Sequence, residues 1–380
     1  MDEVNFENTT EIPIIHYEPE DIFDPMGTSN QTQSLMNQEL GKPTPFSAER
    51  KPEETIILEE QKVETVDPKT SKYNVSILDK YGENYTQKQY ITNPAIARDE
   101  EIKKLILVLL TPEKSAILVG KPGIGKTAIV EGLSYRIINN DVPDVLKGYQ
   151  VINVNVSSMI GEVNNDEETQ TKIQLMIDEL KERPKTILFI DEIHTLVGTE
   201  AADFANMIKP AVDRGDVKMI GATTSDEYER YILRDRAFVR RFEKIDVEEP
   251  DEPTTVKILM GSLKRIEVKT GVTMNYTDFI KERIMKFIVT MTSEYKRVYG
   301  FSSRYPDICL ALVSMMYSEA LFENSKEVKF RHIYKALQEC KSIYEDSLKK
   351  ELERFQIEFK QELEEEHVQI DANNQLVVES

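Results

Sequence analysis

Ser115-Ala116-Ile117-Leu118-Val119 runs into Gly120-Lys121-Pro122-Gly123-Ile124-Gly125-Lys126-Thr127-Ala128 and then into the helical pattern Ile129-Val130-Glu131-Gly132-Leu133. An apolar strand that ends in a glycine-rich turn and opens a helix aims several backbone N–H groups, and the positive end of the helix dipole, at one point. Polyphosphate is the ligand such a point attracts. Lys126 is spaced to reach the outer phosphates and the Thr127 hydroxyl to sit on Mg2+. A bare glycine turn is the competing reading, and the existence of a second half of the site decides between them.

That half is Thr186-Ile187-Leu188-Phe189-Ile190-Asp191-Glu192-Ile193-His194, a buried strand tipped by two carboxylates. Ligands bind at the C-terminal edge of open α/β sheets, where those acids fall. Asp191 is placed to hold the metal's water shell and Glu192 to polarise a water attacking the γ-phosphate. ATP and Mg2+ are the cofactors implied. His194 reads as a structural neighbour of the acids.

Outward from this core, strand and helix patterns alternate. A helix is expected over Arg98–Leu110, strands over Gln150–Val156 and Val217–Ala222, and a helix over Glu168–Lys181 between them. The alternation predicts an α/β fold, a parallel sheet with helices on both faces. From about residue 251 the pattern is wholly helical, with Pro250 and Pro253 at the change. The expected division is a segment 1–71, a nucleotide-binding domain 72–250, a small helical domain 251–345 and a charged amphipathic helix with a tail, 346–380. In the last, Leu348, Leu352, Phe355, Phe359 and Leu363 form one apolar stripe, suited to packing on the helical domain or to self-association, and residues 368–380 read as a frayed tail.

The chain carries a formal net charge of −20. Residues 1–70 hold 16 acids against five bases, so −11 of the −20 lies in this polar segment, which is expected to be disordered. Its apolar islands, Ile12–Tyr17 and Thr55–Leu58, are either inert tail or linear motifs that order on a protein client or adaptor. The acidic balance disfavours nucleic acid as a partner. Cys309 and Cys340 give neither metal spacing nor a disulfide framework. With no targeting segment and no apolar run long enough to span a bilayer, no membrane partner is expected and a cytoplasmic location is.

Four further stretches carry a resemblance: Leu78-Asp-Lys-Tyr-Gly-Glu-Asn-Tyr-Thr86, Asn93-Pro-Ala-Ile-Ala-Arg-Asp-Glu-Glu-Ile102, Val142-Pro-Asp-Val-Leu-Lys147 and Gly221-Ala-Thr-Thr-Ser-Asp-Glu-Tyr228. In this order, from about Leu78 to Glu319, they resemble the first ATPase module of the Clp family of AAA+ proteins. The resemblance implies a five-stranded parallel sheet sandwiched by helices, a helical lid domain, and a ring, a hexamer of one subunit or a mixed assembly with a second AAA+ subunit. It implies that Ile96 lies against adenine, that Thr224 is the sensor of the γ-phosphate, with Thr223 as its competitor, and that Arg240 and Arg241 are arginine fingers completing a neighbouring subunit's site. Such a cation, supplied only on assembly, suits charge that builds on a transferring phosphoryl group. A solvated basic pair, and a plain helix cap at Thr224, are the simpler alternatives.

The departures from that pattern are specific. The family's basic and aromatic grip on a threaded polypeptide is replaced by Asn164-Asn165-Asp166-Glu167. A second pore segment, Gly198–Asn206, is about four residues short of the family's, with Phe204 as a possible substitute contact. No folded N-terminal domain, second ATPase module or peptidase docking loop is found. Arg304 in Ser302-Ser-Arg-Tyr-Pro-Asp307 is one place from the expected second-sensor cation, and Ala97 stands where the family usually has glycine, tolerable if its backbone angle is ordinary. The expected function is ATP-driven remodelling of a protein partner, dedicated to a client recruited by the N-terminal segment. A nucleotide-gated assembly switch that threads nothing is the alternative, ahead of an ATPase acting on nucleic acid.

Overall fold

The computed structural model describes residues 76–161, 166–196, 202–299 and 304–377. The acidic segment 1–71 with its two islands, Asn164 and Asn165, residues 198–201, and Ser302 and Ser303 lie outside the described residues. Phe204 falls in the helix Ala202–Asp213 and Asp166 opens the helix Asp166–Glu182.

The sheet is built from β1 (Gly82–Asn84), β2 (Ser115–Val119), β3 (Gln150–Val154), β4 (Thr186–Ile190), β5 (Lys218–Thr223) and β6 (Phe242–Asp246), in the order β1-β3-β4-β5-β2-β6. Five strands are parallel, as expected. The sixth was not: β1 runs antiparallel along β3, pairing Gly82 with Val154 and Asn84 with Ile152. Its three residues cover an edge that would otherwise present unpaired backbone groups.

β2 and β4 are buried along their whole length, so their apolar runs are continuous and period two sorts each strand between two cores. Ile117, Val119, Ile152, Leu188, Ile190 and Met219 face the helices Asp166–Glu182 and Ala202–Asp213 through Ile173, Met176, Ile177 and Ile208. Ala116, Leu118, Val151, Ile187, Phe189 and Ile220 face the helices Asp99–Leu110 and Lys126–Ile138 through Ile102, Leu105, Ile129 and Leu133.

Helices alone follow the sheet. Asp251 caps the first, Glu252–Thr270, by accepting from Thr254 N–H at 2.8 Å, and Gly271 ends it at φ 71°. It packs with Asp278–Met291, Asp307–Phe322, Phe330–Gln338, Glu345–Glu358 and Lys360–Glu365 around one core. The C-terminal stripe belongs to that core: Phe355 and Phe359, 4.7 Å apart between ring centroids, meet Phe287 and Phe330. Residues 368–377 are not frayed. Ile370 bridges Leu376, Asp371 accepts from the N–H groups of Asn373 and Gln375 at 2.8 and 2.7 Å, and Gln356 donates to the nearly buried Asn374. A turn closed by its own aspartate and stapled to two helices replaces the tail.

Candidate functional site

β2, β5 and β4 are consecutive in the sheet, with Val119 beside Thr223 and Ile190 beside Gly221. The glycine loop, the threonine pair and the two acids therefore leave the sheet along one edge. The chain departs from β2 toward β3 on one side and β6 pairs on the other, so the loop sits at a topological switch point.

The loop geometry explains its glycines. A Cβ on Gly120 would lie 2.3 Å from the Val247 carbonyl oxygen, and Gly125 adopts φ 99° as the N-cap of the helix Lys126–Ile138. Lys126 is buried, its ammonium donating to the carbonyls of Gly120 at 2.9 Å and Lys121 at 3.2 Å. Burial pulls it below the ordinary lysine range, against the pull of Glu192, Asp191 and Glu227. The Thr127 hydroxyl donates to Asp191 Oδ2 at 2.8 Å. A hydroxyl and a carboxylate side by side are the hard oxygen donors Mg2+ takes alongside phosphate and water, so these residues fit that ion.

Glu192 holds a φ of 52°, uncommon for a residue with a Cβ, and its N–H donates to Asp191 Oδ1 at 3.1 Å. Its carboxyl is pushed above the usual range by burial and by the charges of Glu227 and Asp191, against His194 and Lys126. Thr224 caps the short helix Ser225–Glu227 in a capping box: its Oγ1 accepts from Glu227 N–H at 3.3 Å and its own N–H donates to Glu227 Oε2 at 3.1 Å. As an acceptor in that bond the hydroxyl keeps its hydrogen for donation. Thr223, its competitor, is fully buried, and its Oγ1 bonds Glu227 Oε2 at 3.2 Å and His194 Nδ1 at 3.1 Å.

Arg240 and Arg241 lie elsewhere. Arg241 directly precedes β6, whose Phe242 pairs with Ser115 at the start of β2, while the phosphate loop follows the end of β2. A strand length, roughly 15 Å, separates them from their own loop. Arg240 is exposed and Arg241 pairs with Asp213 at 2.5 Å. Ile96 is half-buried, its Cδ1 2.5 Å from where a Cβ on Gly261 would sit in the helix Glu252–Thr270, so the residue expected to meet adenine lies where the sheet domain touches the helices. Arg304 pairs with Glu294 at 3.0 Å, while Asp307 lies beside the loop, its Cβ 2.9 Å from a Cβ built on Gly123. Ala97 has φ 55°, so the condition under which it would replace glycine without strain is not met.

Two participants escaped the sequence reading. Arg98 is buried and donates to Ile124 O at 2.7 Å, Glu248 O at 3.2 Å and Glu101 Oε1 at 2.7 Å, tying the phosphate loop to the segment that leaves β6. Only its position before an acidic helix start hinted at this. Glu227, three residues after Thr224, was legible as a capping-box partner but not as a member of the site.

Residues 116–245 match the AAA family, described as the ATPase family associated with various cellular activities. The chain is 36% identical over 320 residues to the probable ATP-dependent Clp protease ATP-binding subunit of Chlamydia pneumoniae, covering 77% of this chain and 36% of that protein. It is 43% identical over 199 residues to the chaperone protein ClpB of Aquifex aeolicus, covering 50% and 20%. It thus spans between a fifth and about a third of these relatives' length. Among solved structures, a closed-state reconstruction of Hsp104 with ATPγS and FITC casein aligns with a TM-score of 0.61 and 32% identity over 75% of this chain and 49% of that one. The Saccharomyces cerevisiae Hsp104-ADP complex aligns at 0.59 with 35% identity over 68% and 44%.

Proposed function

Because this chain belongs to the Clp-type AAA+ ATPases, we propose that it binds ATP with Mg2+ in the loop 120–128, hydrolyses it in a ring, and uses the cycle to remodel a protein partner. The observation that carries this is the convergence on one sheet edge of Lys126, the Thr127–Asp191 pair and Glu192. In this reading the N–H groups of Gly123–Ala128 and the Lys126 ammonium hold the phosphates. Thr127 and Asp191 hold the ion, Glu192 polarises the attacking water, Thr224 donates to the γ-phosphate, and Ile96 packs on adenine.

Arg240 and Arg241 serve a neighbouring copy's site, because a strand length keeps them from their own. Head-to-tail contacts of this kind close into rings, here a hexamer, with a mixed ring as the variant. The domain division is 72–250 and 251–345, with 346–380 completing the helical core. The segment 1–71 recruits the client or adaptor, in the cytoplasm. The alternative, a nucleotide-gated switch that threads nothing, is supported by Asn164-Asn165-Asp166-Glu167, since an acidic, amide-rich loop offers no aromatic wedge.

Affinity capture with the Glu192→Gln chain, which holds ATP without turning it over, run beside the same variant lacking residues 1–70, tests the reading. One stoichiometric partner lost with the segment is the expected result. Many unrelated proteins held regardless would make this a general remodeller and refute the dedicated client.

A further inference from the structure

His194 lies in the short turn Ile193–Leu196 that follows the acids. Its Nδ1 is 3.4 Å from Glu192 Oε2, 3.1 Å from Glu227 Oε2 and 3.1 Å from Thr223 Oγ1, and its ring stacks on Tyr231 at 5.9 Å between centroids. One ring nitrogen thus meets the carboxylate that follows β4, the last residue of β5 and the carboxylate in the helix after it. Glu227 in turn accepts from the backbone of Thr224 while its own N–H is held by the Thr224 hydroxyl. The imidazole is largely buried, with 18% of its side chain exposed, and its stacked ring limits where Nδ1 can point.

We propose that His194 is the positioning residue for Glu192, and that with Glu227 it links that carboxylate to the Thr224 hydroxyl. The inference rests on the reading of Glu192 as the group that polarises water. Glu192 leaves β4 in the left-handed region, a conformation that persists only where surroundings over-determine it. His194 supplies such a determinant. The imidazole has one hydrogen to give at Nδ1, and two carboxylates lie within its reach. When the Thr224 hydroxyl donates to a γ-phosphate it still accepts from Glu227 N–H, so the short turn that carries Glu227 is drawn with it and the Glu227 carboxylate shifts on His194. The N–H then shifts its share to Glu192, and the carboxylate takes its working orientation once the third phosphate is in place.

The test uses the full chain and two variants of similar size. Asparagine places an amide nitrogen near the position of Nδ1, whereas glutamine carries it past that point. Steady-state ATP hydrolysis is measured for His194→Asn, His194→Gln, Glu192→Gln and the double variant Glu192→Gln/His194→Gln, with assembly followed by sedimentation. His194→Gln is expected to lower kcat on the order of 100-fold with little change in KM, the loss a misplaced reacting group produces. His194→Asn is expected to recover most of it, and the double variant to be no slower than Glu192→Gln alone. Equal behaviour of the Asn and Gln variants, or a kcat unchanged in His194→Gln while Glu192→Gln is inactive, overturns the proposal alone. Wild-type hydrolysis by Glu192→Gln overturns the reading beneath it.

Discussion

Ala97 holds φ 55°, a conformation that costs a residue with a Cβ about 1–2 kcal/mol. Ala97→Gly removes that strain but adds unfolded-state entropy of about 0.5–1 kcal/mol, so the expected net gain is between about 0 and 1.5 kcal/mol. Urea denaturation reads it directly, and a loss of stability would show that the methyl group makes packing worth more than the strain. The opposite case is Gly120, where an added Cβ meets the Val247 carbonyl at 2.3 Å. Gly120→Ala should lower both stability and nucleotide affinity, since backbone rather than a flexible side chain must yield. Lys126→Ala is expected to abolish nucleotide binding, checked by fluorescent nucleotide titration, because no other ammonium among the residues described for the loop lies over the carbonyls of Gly120 and Lys121.

At the scale of elements, two joins depend on single side chains. Arg98 satisfies Ile124 O and Glu248 O in a buried setting. Arg98→Ala leaves both without that donor and should cost about 2–4 kcal/mol, each lost partner contributing about 1–2. Thermal or urea unfolding measures that cost, and a further loss of ATP affinity is expected because the loop loses its tie to the chain beyond β6. The C-terminal helices complete the helical core, so Phe359→Ala should destabilise by about 3–5 kcal/mol. A change below 1 kcal/mol would mean that the helix Lys360–Glu365 is an accessory.

Much of this level was legible beforehand, because β2 and β4 are continuous apolar runs whose ends carry the glycines and acids. What the sequence did not reveal has physical causes. β1 is three residues of Gly-Glu-Asn with no apolar period, and exists only because β3 offers it an edge. The turn after residue 368 is polar, closed locally by Asp371 and fixed through Asn374, whose partners Gln356 and Tyr334 lie 18 and 40 residues away. The contacts of Arg98 with Ile124 and Glu248, and of Glu227 with His194, are encoded by no local pattern.

For the whole molecule, the fact that matters most is that Arg240 and Arg241 sit at the far end of β2 from the loop that would use them. In the proposed shared site, charge on the transferring phosphoryl group is met by a neighbouring copy's arginine, and hydrolysis is expected to follow assembly. Mixing two inactive variants tests the claim most directly. Glu192→Gln keeps the arginines and lacks the carboxylate, while Arg241→Ala keeps the carboxylate and lacks an arginine. Each alone should bind ATP and barely hydrolyse it. In rings mixed at equal amounts, interfaces pairing a native Glu192 with a native Arg241 should restore about a quarter of the wild-type rate, as random head-to-tail placement gives. An active Arg241→Ala chain on its own, or co-assembled rings that stay inactive, would contradict the shared site.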